Sequence, residues 1–195
     1  MSARRGPDDH GGEDVPEADV GLLAVRAAEG DEEAFEVLVH RHSMPMIQLA
    51  TRLLGNRAEA EDAVQDAFVS AWRSLPEYRG EAMFGTWLHR IVTNRCLNLL
   101  RARRPAADLD AVAEPAAPDH QSSPARAAES QAAVRDLAQA MRTLSPEQRV
   151  CWVLREIEAQ PYDTIARTVG ISPEAVRARV FRARRMLTEA MAAWR

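Results

Sequence analysis

Residues 161–187 read PYDTIARTVGISPEAVRARVFRARRML, and this stretch decides how the C-terminal part of the chain folds. Ile165, Ala166 and Val169 recur at helical spacing, Gly170 permits a tight turn, and Ile171 plugs it. Ser172 followed by Pro173 is a start signal, because the hydroxyl satisfies a free backbone N–H and proline is tolerated in the first turn. The second helix would turn Val176, Val180 and Leu187 inward. A short helix, a glycine turn and a capped second helix are the parts of a helix-turn-helix. Its outward residues would be Glu174, Arg177, Ala178, Phe181 and Arg182, near the N-terminal half where such helices meet base edges. Arginine pairs bidentately with guanine, and its phosphate contacts add salt-dependent affinity. A helical hairpin with a solvated basic face is the plainer alternative.

The charges outside this stretch are segregated. The chain has 195 residues, a formal charge of −4, and 25 basic residues that are all arginine. Residues 1–33 hold ten acids against three arginines. Residues 86–104 carry five arginines and no acid, and residues 171–195 carry six arginines against Glu174 and Glu189. Two basic blocks hidden in an acidic average suggest a polyanion met at two places. Residues 105–125, PAADLDAVAEPAAPDHQSSPA, hold four prolines, four acids and no aromatic residue, and read as a flexible linker. Residues 1–16 read as a disordered acidic tail. Two helical parts remain, 17–104 and 126–195, so the expected fold class is all-α with two small domains. Helices are expected over 17–28, 31–54 with a kink at Pro45, 57–74 capped by Asn56, 83–104 and 126–142, with another starting at Ser145-Pro146.

On the 57–74 helix, Ala60, Ala63, Val64, Ala67, Phe68, Ala71 and Trp72 form a stripe for burial. Glu59, Asp62 and Asp66 follow one another at i+3 and i+4, and no arginine lies at those spacings from Asp62 or Asp66. Like charges so placed cost a few tenths of a kcal/mol per pair. With Gln65 beside them, they suggest a basic partner surface, or simply a solvated face. Tyr78, Phe84 and Trp87 gather three of the ten aromatic residues within ten positions. Thr86, Arg90, Asn94 and Asn98 then fall on one i+4 row that Arg101 continues. Aromatics for stacking, amides for base edges and arginines for phosphates suit a melted or single-stranded site. Phe84, Trp87, Leu88, Ile91 and Val92 are also at core spacing, so burial competes with base stacking for the aromatics.

Taken together, AEDAVQDAFVSAW (60–72), YRGEAMFGTWLHRIVTN (78–94) and LSPEQRVCWVLREIEAQPYDTIARTVGISPEAVRARVFRARRML (144–187) resemble the extracytoplasmic-function group of the sigma-70 family. These bacterial RNA polymerase sigma factors keep only domains 2 and 4. The resemblance covers about 170 residues and implies domain 2 over 17–104 and domain 4 over 126–195. It implies that Asp62, Gln65 and Asp66 dock on the clamp helices of the polymerase largest subunit. Tyr78, Arg79, Phe84, Trp87, Arg90, Asn94, Arg95, Asn98 and Arg101 match the part that reads and helps melt the −10 element. Arg155, Glu174, Arg177, Ala178, Arg179, Phe181 and Arg182 match the part that faces the −35 element. An anti-sigma factor is a further implied partner. The family commonly has glycine where this chain has Ala159, and often aspartate or a basic residue near Asn98, so the promoter sequence does not follow from the resemblance.

The implied protein is a specificity subunit whose two readers are joined by a linker reaching up to ~3.3 Å per residue. Bound to polymerase, both act at once, and effective concentration turns two weak contacts into one specific one. The acidic tail and linker are expected to shield the basic faces in the free chain. No nucleophile with its base, phosphate loop or metal cluster accompanies these motifs, so neither an enzyme nor a cofactor is expected. His89 and Cys96 stand at i+7 without a further ligand, and two distant cysteines do not make a disulfide scaffold. The longest apolar runs, such as Val150 to Leu154, are five residues, which excludes membrane insertion and, without a secretory signal, points to the cytoplasm. A stand-alone helix-turn-helix regulator remains the alternative, though it leaves the acidic row and the aromatic–amide stretch unexplained.

Overall fold

The computed structural model describes residues 17–80, 82–103 and 124–192. The expected tail over 1–16 and most of the expected linker lie outside the described residues. The described residues form eight α-helices and one 3₁₀ turn, with no strand among them. In chain order these are α1 (Glu17–Ala28), α2 (Glu32–Leu54), α3 (Arg57–Ser74), the 3₁₀ turn (Leu75–Glu77), α4 (Phe84–Ala102), α5 (Pro124–Thr143), α6 (Pro146–Glu156), α7 (Tyr162–Val169) and α8 (Pro173–Ala190).

Local chemistry sets most of these boundaries. Asp31 caps α2 by accepting from the Ala34 N–H at 3.0 Å and is held from behind by Arg26 at 2.6 Å. The Ala34 N–H, and then Arg26, hold the Asp31 carboxyl below its ordinary value. Gly55 ends α2 at φ 77°, its N–H donating to the Thr51 carbonyl. Asn56 then caps α3 by accepting from the Glu59 N–H at 3.1 Å. Ser145 and Gln148 make a reciprocal capping box on α6, and Ser172 accepts from the Ala175 N–H on α8.

Pro45 lies inside α2, where the sequence predicts a kink, and Leu38 on one side of it and Met46, Leu49, Ala50 and Leu53 on the other are all buried in one core. Two details differ from the sequence expectation. Helix α5 begins at Pro124, two residues inside the expected linker, because proline suits a first helical turn. Trp72 is only half-buried, tilted at 49° against Phe35 with centroids 4.8 Å apart, whereas its alanine neighbours are sealed.

Helices α1 to α4 pack as an N-terminal unit, and α5 to α8 as a C-terminal one. The two share one hydrophobic core. Helix α4 lies between them, against α2 and α3 on one side and α6 and α7 on the other. The seam carries polar ties: Arg52 to Glu158 at 2.5 Å, Arg101 to Glu147 at 2.9 Å, and the Gln160 amide to the His89 ring at 3.1 Å. Periodicity within each unit could not reveal this docking, since a seam between units leaves no repeat in the sequence. No helix among the described residues is long and apolar enough to cross a membrane.

Candidate nucleic-acid interface

The helix-turn-helix forms where its residues place it. Gly170 takes φ 70° and its N–H donates to the Ala166 carbonyl at 2.9 Å, turning the chain from α7 into α8. Ile165, Ala166, Val176, Val180, Ala183 and Leu187 are buried and lock the two helices at a fixed angle. The opposite side of α8 presents Glu174, Arg177, Phe181 and Arg182 to solvent, with Ala178 half-buried between them. Phe181 is 69% exposed, which a core role does not explain. Arg177 pairs with Glu174 at 3.2 Å and lies over the Tyr162 ring, 5.3 Å from its centroid. Arg155 covers the same ring at 4.7 Å and donates to the Gln160 carbonyl at 2.9 Å. Tyr162, which the sequence motif offers only as the start of α7, therefore orders two arginines into one face. Its position beside Pro161 was the available signal.

Arg179 departs from this face. It turns toward the seam and lines a small cleft with Leu97, Arg101, Glu147, Cys151 and Val169. Helical rotation accounts for this: Arg179 sits two residues past Arg177, on the other side of α8.

The second basic element is α4. Thr86, Arg90 and Asn98 are exposed on its outer row, Asn94 is half-buried, and Arg101 is exposed at its end. The row stays polar because its opposite faces, Leu88, Val92, Cys96, Leu97 and Leu100, fill the core. Phe84 is 1% exposed and cannot stack on a base in this arrangement. It packs edge-on to Tyr78, tilted against Trp87 at 5.6 Å, and against the His42 ring. Core spacing wins at Phe84, while Tyr78 and Trp87 stay half-buried at the edge of the cluster and Arg79 is fully outside. Tyr78 donates its hydroxyl to the Ala82 carbonyl at 2.5 Å. Burial raises the Tyr78 pKa, so the hydroxyl keeps its proton and donates.

The acidic row on α3 is exposed at Asp62, Gln65 and Asp66. It is not uncompensated, however. Arg95 of α4 reaches Asp66 at 2.5 Å, and Arg103 pairs with Glu59. These partners are 29 and 44 residues away, so i+3 and i+4 counting could not find them. Arg95 thereby leaves the outer row of α4 and ties that helix to α3. Asp62 and Gln65 remain open to a partner.

Neither cysteine offers chemistry. Both are free and buried, and burial pushes Cys96 up to about 12 and Cys151 up to about 11, so both thiols keep their protons at neutral pH. No group of three metal-ligating side chains occurs among the described residues. The arrangement suits recognition: two basic faces and one acidic strip.

Comparison with known proteins agrees with this geometry. The sigma-70 region 2 family model matches residues 38–105, and the sigma-70 region 4 model matches residues 135–187. The RNA polymerase sigma-H factor of Pseudomonas aeruginosa is 35% identical over 178 residues, spanning 87% of this chain and 92% of that protein. The ECF RNA polymerase sigma-E factor of Escherichia coli is 32% identical over 171 residues, spanning 84% of this chain and 89% of that protein. Among solved structures, CnrH in complex with the cytosolic domain of CnrY superposes with a TM-score of 0.63 at 30% identity, covering 89% of this chain and 97% of CnrH. Two sigma-70 regions in the right order, on a chain matched along nearly the whole length of such relatives, make this protein a member of the extracytoplasmic-function group of the sigma-70 family, the promoter-specificity subunits of bacterial RNA polymerase.

Proposed function

We propose that this sigma factor divides its work among three surfaces. Exposed Asp62, Gln65 and Asp66 dock on the basic clamp helices of the polymerase largest subunit. Tyr78, Arg79, Trp87, Arg90, Asn94, Asn98 and Arg101 engage the −10 element and help hold it open. Arg155, Glu174, Arg177, Ala178, Phe181 and Arg182 read the −35 element as duplex. Phe84 and Arg95 position the −10 surface from behind, and Arg179 serves the seam.

The single observation that carries this assignment is the split between exposed and buried residues on α4 and α8. Each helix buries an apolar face completely yet leaves a polar row in solvent, Arg90, Asn98 and Arg101 on α4 and Arg177 and Arg182 with the exposed Phe181 on α8. In the packed arrangement Arg101 is held by Glu147. Reading two separated promoter elements at once therefore requires α4 and α6 to part when polymerase binds. An anti-sigma factor is the natural antagonist, and the similar structure of CnrH shows that protein in complex with the cytosolic domain of CnrY. A chain that serves RNA polymerase works in the cytoplasm.

Run-off transcription with sigma-free core polymerase on genomic fragments tests this reading. Initiation at discrete sites that fails when Arg177 or Asn94 is replaced by alanine supports it. Initiation unaffected by both replacements sinks the assignment.

A further inference from the structure

Several arginines around α8 are held by carboxylates. Arg184 pairs with Glu156 at 2.7 Å, and Arg185 with Glu189 at 2.9 Å. A carboxylate accepts from the N–H edge of a guanidinium, so an arginine held in this way has fewer donors left for another partner. Arg155 and Arg177 are held differently. Each has its guanidinium carbon over the Tyr162 ring, 4.7 and 5.3 Å from the centroid. A ring attracts the cation through its quadrupole and does not accept its N–H groups as a carboxylate does, so the donor fork stays available. Arg155 gives Nη1 to the Gln160 carbonyl at 2.9 Å. Arg177 gives Nη1 to Glu174 at 3.2 Å, but both partners are exposed, and such a pair yields readily to water or to another acceptor.

The surroundings of Tyr162 make its ring a fixed platform. Tyr162 opens α7 directly after Pro161, whose carbonyl accepts from the Ile165 N–H at 3.0 Å and closes the first turn. The residue is half-buried and packs against the hydrophobic core. Arg155 reaches the ring from α6 and Arg177 from α8, so three helices of the C-terminal unit meet there.

We propose that Tyr162 is a positioning residue for reading the −35 element, its ring fixing the guanidiniums of Arg155 and Arg177 while leaving their N–H edges to DNA. This rests on the assignment of those two arginines to the −35 element. A loose arginine swings to another acceptor when the base is wrong. A held one does not, so the mismatch leaves donors unpaired and costs more. Tyr162 itself touches no base and acts through the two arginines.

The test uses the full chain with core polymerase and run-off transcription over single-base −35 variants. Tyr162→Leu keeps an apolar side chain without a π face. It should flatten the preference at the base pair Arg177 reads by about two- to fivefold, the worth of an exposed cation–π contact. Tyr162→Phe keeps the face and should hold the preference within about twofold. Added to Arg177→Ala, Tyr162→Leu should cause no further loss at that base pair, because the side chain it acts through is gone. Tyr162→Met gives the same reading if Tyr162→Leu does not fold. Intact preference in Tyr162→Leu, where Arg177→Ala loses it, overturns the proposal and leaves the −35 assignment standing. An equal loss in Tyr162→Phe also overturns it, since the hydroxyl would then do the work. So does a loss in Tyr162→Leu that is uniform over all bases, the mark of a structural role alone. Unchanged preference in Arg177→Ala instead removes the −35 assignment, and the proposal with it.

Discussion

Arg177→Ala separates recognition from stability more cleanly than any other single change. Arg177 is 54% exposed and its partner Glu174 is 76% exposed, so losing that i,i+3 pair costs only a few tenths of a kcal/mol. Losing the contact with the Tyr162 ring, 5.3 Å from the centroid, adds about 0.5–1 kcal/mol. Folding stability should therefore fall by about 1 kcal/mol, a Tm decrease of about 2–4 °C, leaving the protein folded at assay temperature. A bidentate arginine–guanine contact is worth about 1–3 kcal/mol of discrimination, or roughly 5- to 150-fold. Arg184→Ala is the control, because Arg184 lies on the same helix but pairs backward with Glu156 at 2.7 Å. Run-off transcription across a set of single-base −35 variants reads both effects. Arg177→Ala should lose activity within that range and become indifferent to one base pair, while Arg184→Ala should stay within about threefold and keep every preference. Equal losses in the two variants, or a loss in Arg177→Ala that is uniform over all bases, would refute base reading by Arg177.

Four further outcomes follow from the same geometry. Leu154→Ala, at a fully buried site in α6, should cost about 2–5 kcal/mol in chemical denaturation; a cost below 1 kcal/mol would mean that this core is not packed as described. Ala159→Gly should stabilise, since Ala159 holds φ 52° in the left-handed region; relief of that strain less the added unfolded-state entropy leaves about 0.5–1 kcal/mol, and a lower Tm would contradict it. His89 is half-buried against Gln160, and its pKa is lowered by this desolvation despite the opposing pull of Glu158. Its neutral form favours the folded state above its ordinary value of 6.5, and this stability is lost as pH falls through the lower folded value. Denaturation midpoints should drop on acidification below that point, less so in His89→Gln, and identical pH profiles would dismiss His89. Neither cysteine should react with a thiol reagent at neutral pH until the chain unfolds, and rapid labelling of the folded protein would show that the burial is wrong.

The parts of the fold set by local chemistry were legible in the residues. Asn56, Ser145, Ser172 and Gly170 each announce a helix end, and each does so through a hydrogen bond or a left-handed turn within four residues. The outward row of α8 followed from the same periodicity. Competition between burial and binding was harder to judge. Phe84 sits in a stretch where aromatic character suits both a core and a base stack, and only the packing against His42, Tyr78 and Trp87 decides for the core. Long-range charge pairing was invisible. Arg95 and Arg103 reach back to α3 because α4 folds alongside it, and nothing at i+3 or i+4 announces that. Arg149 is the sharpest case: in the sequence it is one arginine of 25, and only the docking of α6 on the end of α2 buries it.

The central claim is that the carboxylates of α3 hold polymerase while the arginines of α4 and α8 hold DNA, and one binding experiment addresses it directly. The purified full chain is passed over a sizing column with bare core polymerase, alongside Asp62→Arg/Asp66→Arg and Arg177→Ala/Arg182→Ala. The natural chain and the α8 variant should co-elute with core, and the α3 variant should run alone. Co-elution of the α3 variant with unchanged stoichiometry, or failure of the natural chain to join core at all, would contradict the account.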